Sequence, residues 1–326
     1  MSGGLNRLVL SDLEQAKFSI SESKAYFRFK KKIYKLMEFF DSLSTLITAS
    51  GHVITCISST KIHFLQTDLI DSTVKTLNNV EHCCIFGSFS DANALIRKFR
   101  DDLILFLYIV GVLKNRKCLS EEQVKEIVGD DMDVEKFTKI IELTLNIAID
   151  GCTKNDEDKC VDAWFDDNVH SLSNQQRRKL SFENYMTYLK NNVFIDDVIK
   201  KYNLEKDWKN ICKKLNDYTH NNGRTYTRHN LLSIDSPDII NCFDEIISRL
   251  EFITAFFMIL LILIEPILIG STNHIDYLDC NLTPQEDSQY QIASFVQDFI
   301  DEYINIVNPE LKAFLKHNNK YGMLIN

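Results

Sequence analysis

Two clusters of polar side chains stand where helical patterning would otherwise place apolar ones. The first is Lys213-Lys214-Leu215-Asn216-Asp217-Tyr218-Thr219-His220, followed by Asn221-Asn222-Gly223-Arg224. On a helix Asn216 and His220, four apart, share one face, and Lys213 lies one turn further back on nearly the same side. An imidazole exchanges protons near neutral pH, so a histidine set among cations suits general acid–base chemistry on an anionic group. From Glu205 to Asn230 there are six Lys or Arg against three acids, in a chain whose net charge is −9. Two readings follow: a local cationic pocket, or a His220 and Lys214 that only complement the negative end of a helix dipole.

The second cluster is Arg97, Lys98, Arg100, Asp101 and Asp102. Arg97 and Asp101 are four apart and can pair on one helix face. That pattern fits an ion-pair network at the exposed end of a core helix. It also fits an Arg97 or Arg100 that projects into a cleft and grips phosphate or carboxylate through two N–H groups.

The segment KKLNDYTHNNG resembles the signature of the HEPN superfamily, a set of compact helical bundles. Its motif is an arginine, then four to six residues, then a histidine, often with asparagine or another polar residue after the arginine. Here the arginine is replaced: Lys213 and Lys214 fall in the window before His220, and Asn216 stands four before it. Lysine carries the charge without the guanidinium fork. The RKFRDD helix is similar to the long charged helix that many such bundles pack against the motif helix, and the likeness spans about a third of the chain. The resemblance implies metal-independent RNA cleavage with no cofactor. His220 would act as acid and base, Asn216 would orient it, and Lys214 would supply charge. Lys213, Arg224, Arg97 and Arg100 would hold phosphate. It also implies RNA as a partner, a homodimer or partner protein that completes the site, and a role in toxin or antiphage defence. The competing expectation is a non-catalytic helical scaffold or sensor that works through protein–protein contacts.

The elements that would position these residues are helical. Glycine (10) and proline (4) are scarce among 326 residues, which disfavours turn-rich sandwiches and barrels. We expect an all-α, HEPN-like multi-helix bundle with a fully buried central helix near residues 238–264. Apolar positions recur every three or four residues from Ser23 to about Ser50 and from Ile62 to about Ile85, each predicting a helix. His52–Ile57 reads as a short strand or the start of the next helix. Ser90 is the expected N-cap of a helix running to about Leu113, and Ser120 with Gln123 suggests a capping box. Gly223 is the expected positive-φ residue after the motif helix. The organisation predicted is a loose segment 1–22, a helical half 23–150, a polar loop or linker 151–180, and a second helical half 181–326.

The run Phe252–Ile264 is apolar apart from Thr254 and is bracketed by Glu251 and Glu265. It falls short of the ~20 residues that span a bilayer, so a buried helix and no membrane are expected. The nine scattered cysteines include no CxxC pair, which fits reduced thiols in a cytoplasmic protein and no metal site. His274, Asp276 and Asp279 fit a capped turn better than a metal site. His170, His229 and His317 are expected at the surface. No P-loop, GxGxxG, GxSxG or HExxH motif is present, which removes the common nucleotide-, serine- and zinc-dependent enzymes.

Overall fold

The computed structural model describes residues 17, 19–49, 54–58, 61–65, 67–116, 121–129, 133–149, 154–232, 236–270, 283, 291–305, 308–319 and 323–326. In chain order the elements are α1 (Lys24–Ala49), β1 (Thr55–Ile57), β2 (Ile62–Phe64), α2 (Asp68–Ile85) and α3 (Phe89–Lys114). Then come α4 (Glu121–Val128), α5 (Val134–Ile149), α6 (Asp156–Phe165), α7 (Asn174–Arg177), α8 (Phe182–Lys190) and α9 (Val193–Lys201). The last are α10 (Leu204–Thr219), α11 (Arg224–Arg228), α12 (Asp238–Ile264), α13 (Ser294–Phe299) and α14 (Pro309–His317). The all-α bundle is the observed fold class. The one sheet among the described residues is the antiparallel pair β1–β2, with Cys56 opposite His63. Of the expected 52–57 segment, Thr55–Ile57 is a strand, and His52 and Val53 lie outside the described residues. The helix expected from Ile62 starts only at Asp68, because Ile62–Phe64 pairs with β1 first.

The chain divides into two compact units that cut across the expected halves. One comprises Met1–His52, Thr67–Ile104 and Val193–Asn326, the other Val53–Gln66 and Leu105–Asn192. The expected loose segment lies mostly outside the described residues, although residues 19–21 are helical and Ile20 is buried. The stretch 151–180 is not a loop where it is described. α6 opens with a capping box between Asn155 and Asp158, and its Cys160 and Ala163 pack with Leu172.

The first unit is built around α12. Every residue from Ile253 to Ile264 is buried, and burying each large apolar side chain is worth about 1.5–3 kcal/mol. α12 is the only helix among the described residues long and apolar enough to cross a membrane, and 83% of that apolar stretch is buried inside the protein. α1 packs on it through Phe29 against Phe243 and Phe40 against Phe257, and α10 through a stacked Trp208–Phe256 pair 4.2 Å apart. Apolar side chains surround the whole girth of α12 only from Ile253 to Ile264. Its first half is not fully buried as expected, because Asp238, Asn241, Asp244, Glu245 and Ser248 give it an exposed polar side.

In the second unit Arg116 joins the hairpin to α6. Its Nη2 donates to Asp162 at 2.7 Å and its Nε meets Asp158 at 3.1 Å. Lys154 also pairs with Asp162, at 2.6 Å, and donates to the Ile57 carbonyl at 2.9 Å. Burial pushes the Cys56 thiol beside them up to about 12, so it is held as an unreactive thiol. Among the described residues no group of three or more His, Cys, Asp or Glu could hold a metal, and the described cysteines are free. Ser271–Asp279 and Ser120 lie outside the described residues.

Candidate functional site

α10 carries Asn216 and His220 because its buried face is sparse and well spaced. Leu204, Trp208, Leu215 and Tyr218 face the core, which leaves Asn216 half-buried and His220 exposed. The helix ends at His220 in a Schellman turn. Asn222 N–H donates to the Asp217 carbonyl at 3.0 Å and Asn221 N–H to the Tyr218 carbonyl at 3.3 Å. The left-handed residue that makes this turn is Asn221, at φ 49°, two positions before the expected Gly223. Asparagine tolerates that region better than other side-chain-bearing residues. The chain then folds back: the Asp217 carboxylate accepts from Asn222 Nδ2 at 3.0 Å and from the Tyr226 hydroxyl at 3.1 Å. Those bonds, Asn222 first, hold its carboxyl below the usual range. The end of the helix bearing His220 is thus fixed by its own side chains.

The arginine absent from the motif comes from another helix. Arg97 of α3 brings its Nη1 to 3.3 Å from His220 Nε2. A guanidinium only donates, so Nε2 is the accepting nitrogen and the ring proton sits on Nδ1. Arg97 Nε lies 3.8 Å from Asp101 Oδ2, and Asp101 Oδ1 accepts from Arg100 Nε and Nη2 at 2.8 and 2.6 Å. Burial pushes the Asp101 carboxyl up, against the pull of Arg100 and Arg97. Arg100 is buried, 1% exposed, so it acts inside the α3 network and does not reach an open cleft. Asn216 Oδ1 is buried without a hydrogen-bond partner. A buried acceptor left unpaired costs about 1–3 kcal/mol.

The other expected cations are not gathered here. Lys214 Nζ turns to Glu245 at 3.0 Å. Lys213 is exposed on α10, and Arg224 is exposed as the first residue of α11.

A second polar centre was not visible in the sequence. The Tyr218 hydroxyl and His229 Nδ1 are 2.7 Å apart, and the buried Arg249 guanidinium lies over the Tyr218 ring, 5.6 Å from its centroid. Arg249 also donates to Asn93 and Glu245. Burial lowers the His229 imidazole below its ordinary value and pushes the Tyr218 phenol up to about 12. His229 is therefore half-buried, against the surface position expected, whereas His170 and His317 are exposed. Nearby, Ser90 is not the N-cap of α3. Its N–H donates to Asn230 Oδ1 at 2.7 Å and its hydroxyl donates to the Tyr226 carbonyl, so the loop after α11 caps α3. The only hint in the sequence was the cluster of loop asparagines and histidine between Asn221 and Asn230.

No family model matches the chain, and no curated protein or solved structure does.

Proposed function

We propose that this chain acts on RNA at the Arg97–His220 pair, as a HEPN-like, metal-independent endoribonuclease. One observation carries the reading: Arg97 Nη1 stands 3.3 Å from His220 Nε2 at the solvent-facing end of α10. A guanidinium whose N–H rests on the Nε2 of an exposed imidazole is a paired phosphate grip and general base, once a phosphate draws the guanidinium to itself. RNA carries its own nucleophile, the 2′-hydroxyl, next to the scissile phosphodiester. Arg97 takes two non-bridging phosphate oxygens, which frees Nε2. Nε2 accepts the 2′-hydroxyl proton as that oxygen attacks phosphorus. The bond from phosphorus to the 5′-oxygen breaks, and that oxygen takes a proton from water. The products are a 2′,3′-cyclic phosphate and a 5′-hydroxyl, and no redox change or metal is needed. Arg224 and Lys213, exposed on the same stretch, supply charge along the strand.

The test is cleavage of a panel of RNAs by the full chain in EDTA, with His220→Ala alongside. Cleavage that survives chelation, leaves cyclic phosphate ends and falls by about a hundredfold or more in the variant supports the assignment. An inert wild-type protein, or cleavage unchanged by His220→Ala, overturns it.

A further inference from the structure

α1 turns opposite faces to opposite environments. Tyr26, Phe29, Ile33, Leu36 and Phe40 are buried, so its apolar face is committed to the core. From Lys24 to Lys35 the same helix carries six Lys or Arg and no acid, in a chain whose net charge is −9. Two large rings stand exposed among those cations: Phe27 is 60% exposed and Tyr34 43%. Lys24, Phe27, Lys31 and Tyr34, spaced by three, four and three, form one row on the solvent side. Arg28 flanks the row on one side and Lys30 on the other, with Lys30 Nζ 5.4 Å from the Tyr34 ring centroid. Lys32 and Lys35 pair with Glu251 and Glu302. Lys24, Arg28 and Lys31 have no acidic partner among the described residues. Glu38, one turn past Tyr34, closes the row.

We propose that this row is a binding face for single-stranded RNA, with phosphates on Lys24, Arg28 and Lys31 and unpaired bases stacked on Phe27 and Tyr34. The occupant rests on the reading of RNA as substrate given above; the face supplies affinity and does not touch the reacting atoms. A row of cations without acids is complementary to a polyanion, which releases counterions as it binds. The rings narrow the choice, because every base has a π-face to lay on an aromatic side chain. They are seven residues apart, roughly 10.5 Å along the helix, with Lys31 between them. Bases splayed from a single strand can meet both rings, whereas those of a duplex stay paired and stacked. A lipid surface is disfavoured, because the continuous apolar face that would enter it already packs in the core.

Fluorescence anisotropy of a labelled single-stranded RNA tests this, using the full-length His220→Ala chain so that the RNA stays intact. We expect Phe27→Ala and Tyr34→Ala each to weaken binding by about tenfold, and Phe27→Trp to retain it. Lys24→Gln, Arg28→Gln and Lys31→Gln should each reduce the slope of log affinity against log salt by about 0.7, because each releases one phosphate. Should an alanine variant fail to fold, the salt slopes of the glutamine variants make the same test. An affinity unmoved by both rings, or a slope unmoved by the three cations, overturns the proposal. So does binding to phosphatidylserine vesicles with no measurable affinity for RNA. Affinity lost in these variants while the wild-type chain cleaves no RNA would support this face and overturn the nuclease reading alone.

Discussion

His220 and His229 stand nine residues apart on either side of one left-handed turn, and the fold uses them differently. His220 caps α10, is exposed, and presents Nε2 to the donor-only guanidinium of Arg97. His229 follows α11, is half-buried, and gives Nδ1 to the Tyr218 hydroxyl. The same side chain is thus exposed in one place and a packed hydrogen-bond partner in the other. What separates them is burial and the nature of the neighbour. Arg97 meets the His220 ring at its exposed edge, whereas the desolvated Tyr218 phenol meets the His229 ring inside the fold and locks it. A histidine in a cationic stretch is therefore no guide to chemistry until its neighbour is known.

The largest expected difference between the two centres lies in catalysis. On the proposed chemistry Arg97→Ala lowers single-turnover RNA cleavage by about a hundredfold or more, with little change in thermal unfolding, because Arg97 is part-exposed. Arg97→Lys restores charge without the fork and should recover only part of the rate. Cleavage that is lost in His229→Ala and kept in Arg97→Ala would exchange the roles of the two sites.

The next effect is on stability. His229→Ala leaves the buried Tyr218 hydroxyl without its partner and should cost about 1–3 kcal/mol in urea unfolding, while the rate per folded molecule stays unchanged. Tyr218→Phe in the same background should cost little more, because the bond is already gone. Full additivity of the two would mean that the pair does not interact.

The smallest effect is the dependence of stability on pH. Burial holds the folded His229 below its ordinary value of 6.5, so the unfolded chain binds the proton more tightly. The contribution of His229 is therefore complete above 6.5 and is lost as pH falls below that value towards the folded pKa. Melting temperatures of wild type and His229→Gln should diverge above that window and converge below it. A His229→Gln variant with the wild-type slope would assign the titration to another group.

Much of the helical framework was legible because periodicity and caps are local. The Ser23–Ser50 stripe became α1, and Asn308 accepts from the N–H groups of Glu310 and Leu311 where Pro309 opens α14. The burial of Ile253–Ile264 was legible for a related reason, since a stretch apolar on every side has no face suited to water, whereas the first half of α12 keeps an exposed side. The hairpin was harder to read. Cys56 and Ile57 are apolar at strand and helix spacing alike, and only pairing with Ile62–Phe64 decides between them. α5 shows the same limit in the opposite sense, because two apolar stripes say nothing about which of them finds a neighbour. Residues 151–180 read as a linker because α6 and α7 are short and rich in charge. Their stability comes from caps and ion pairs with Arg116, Lys154 and Lys179.

Within the candidate site the sequence alone determined that Asn216 and His220 share one face of a helix, because their spacing is local. Tertiary structure decided the rest. It carried Arg97 to His220 across 123 positions, drew Lys214 away to Glu245, buried Arg100 against Asp101, and closed His229 onto Tyr218. A local pattern sets which way a side chain points from its own helix. Which charge it meets depends on how separate helices pack, and that is settled by the apolar surfaces they bury together.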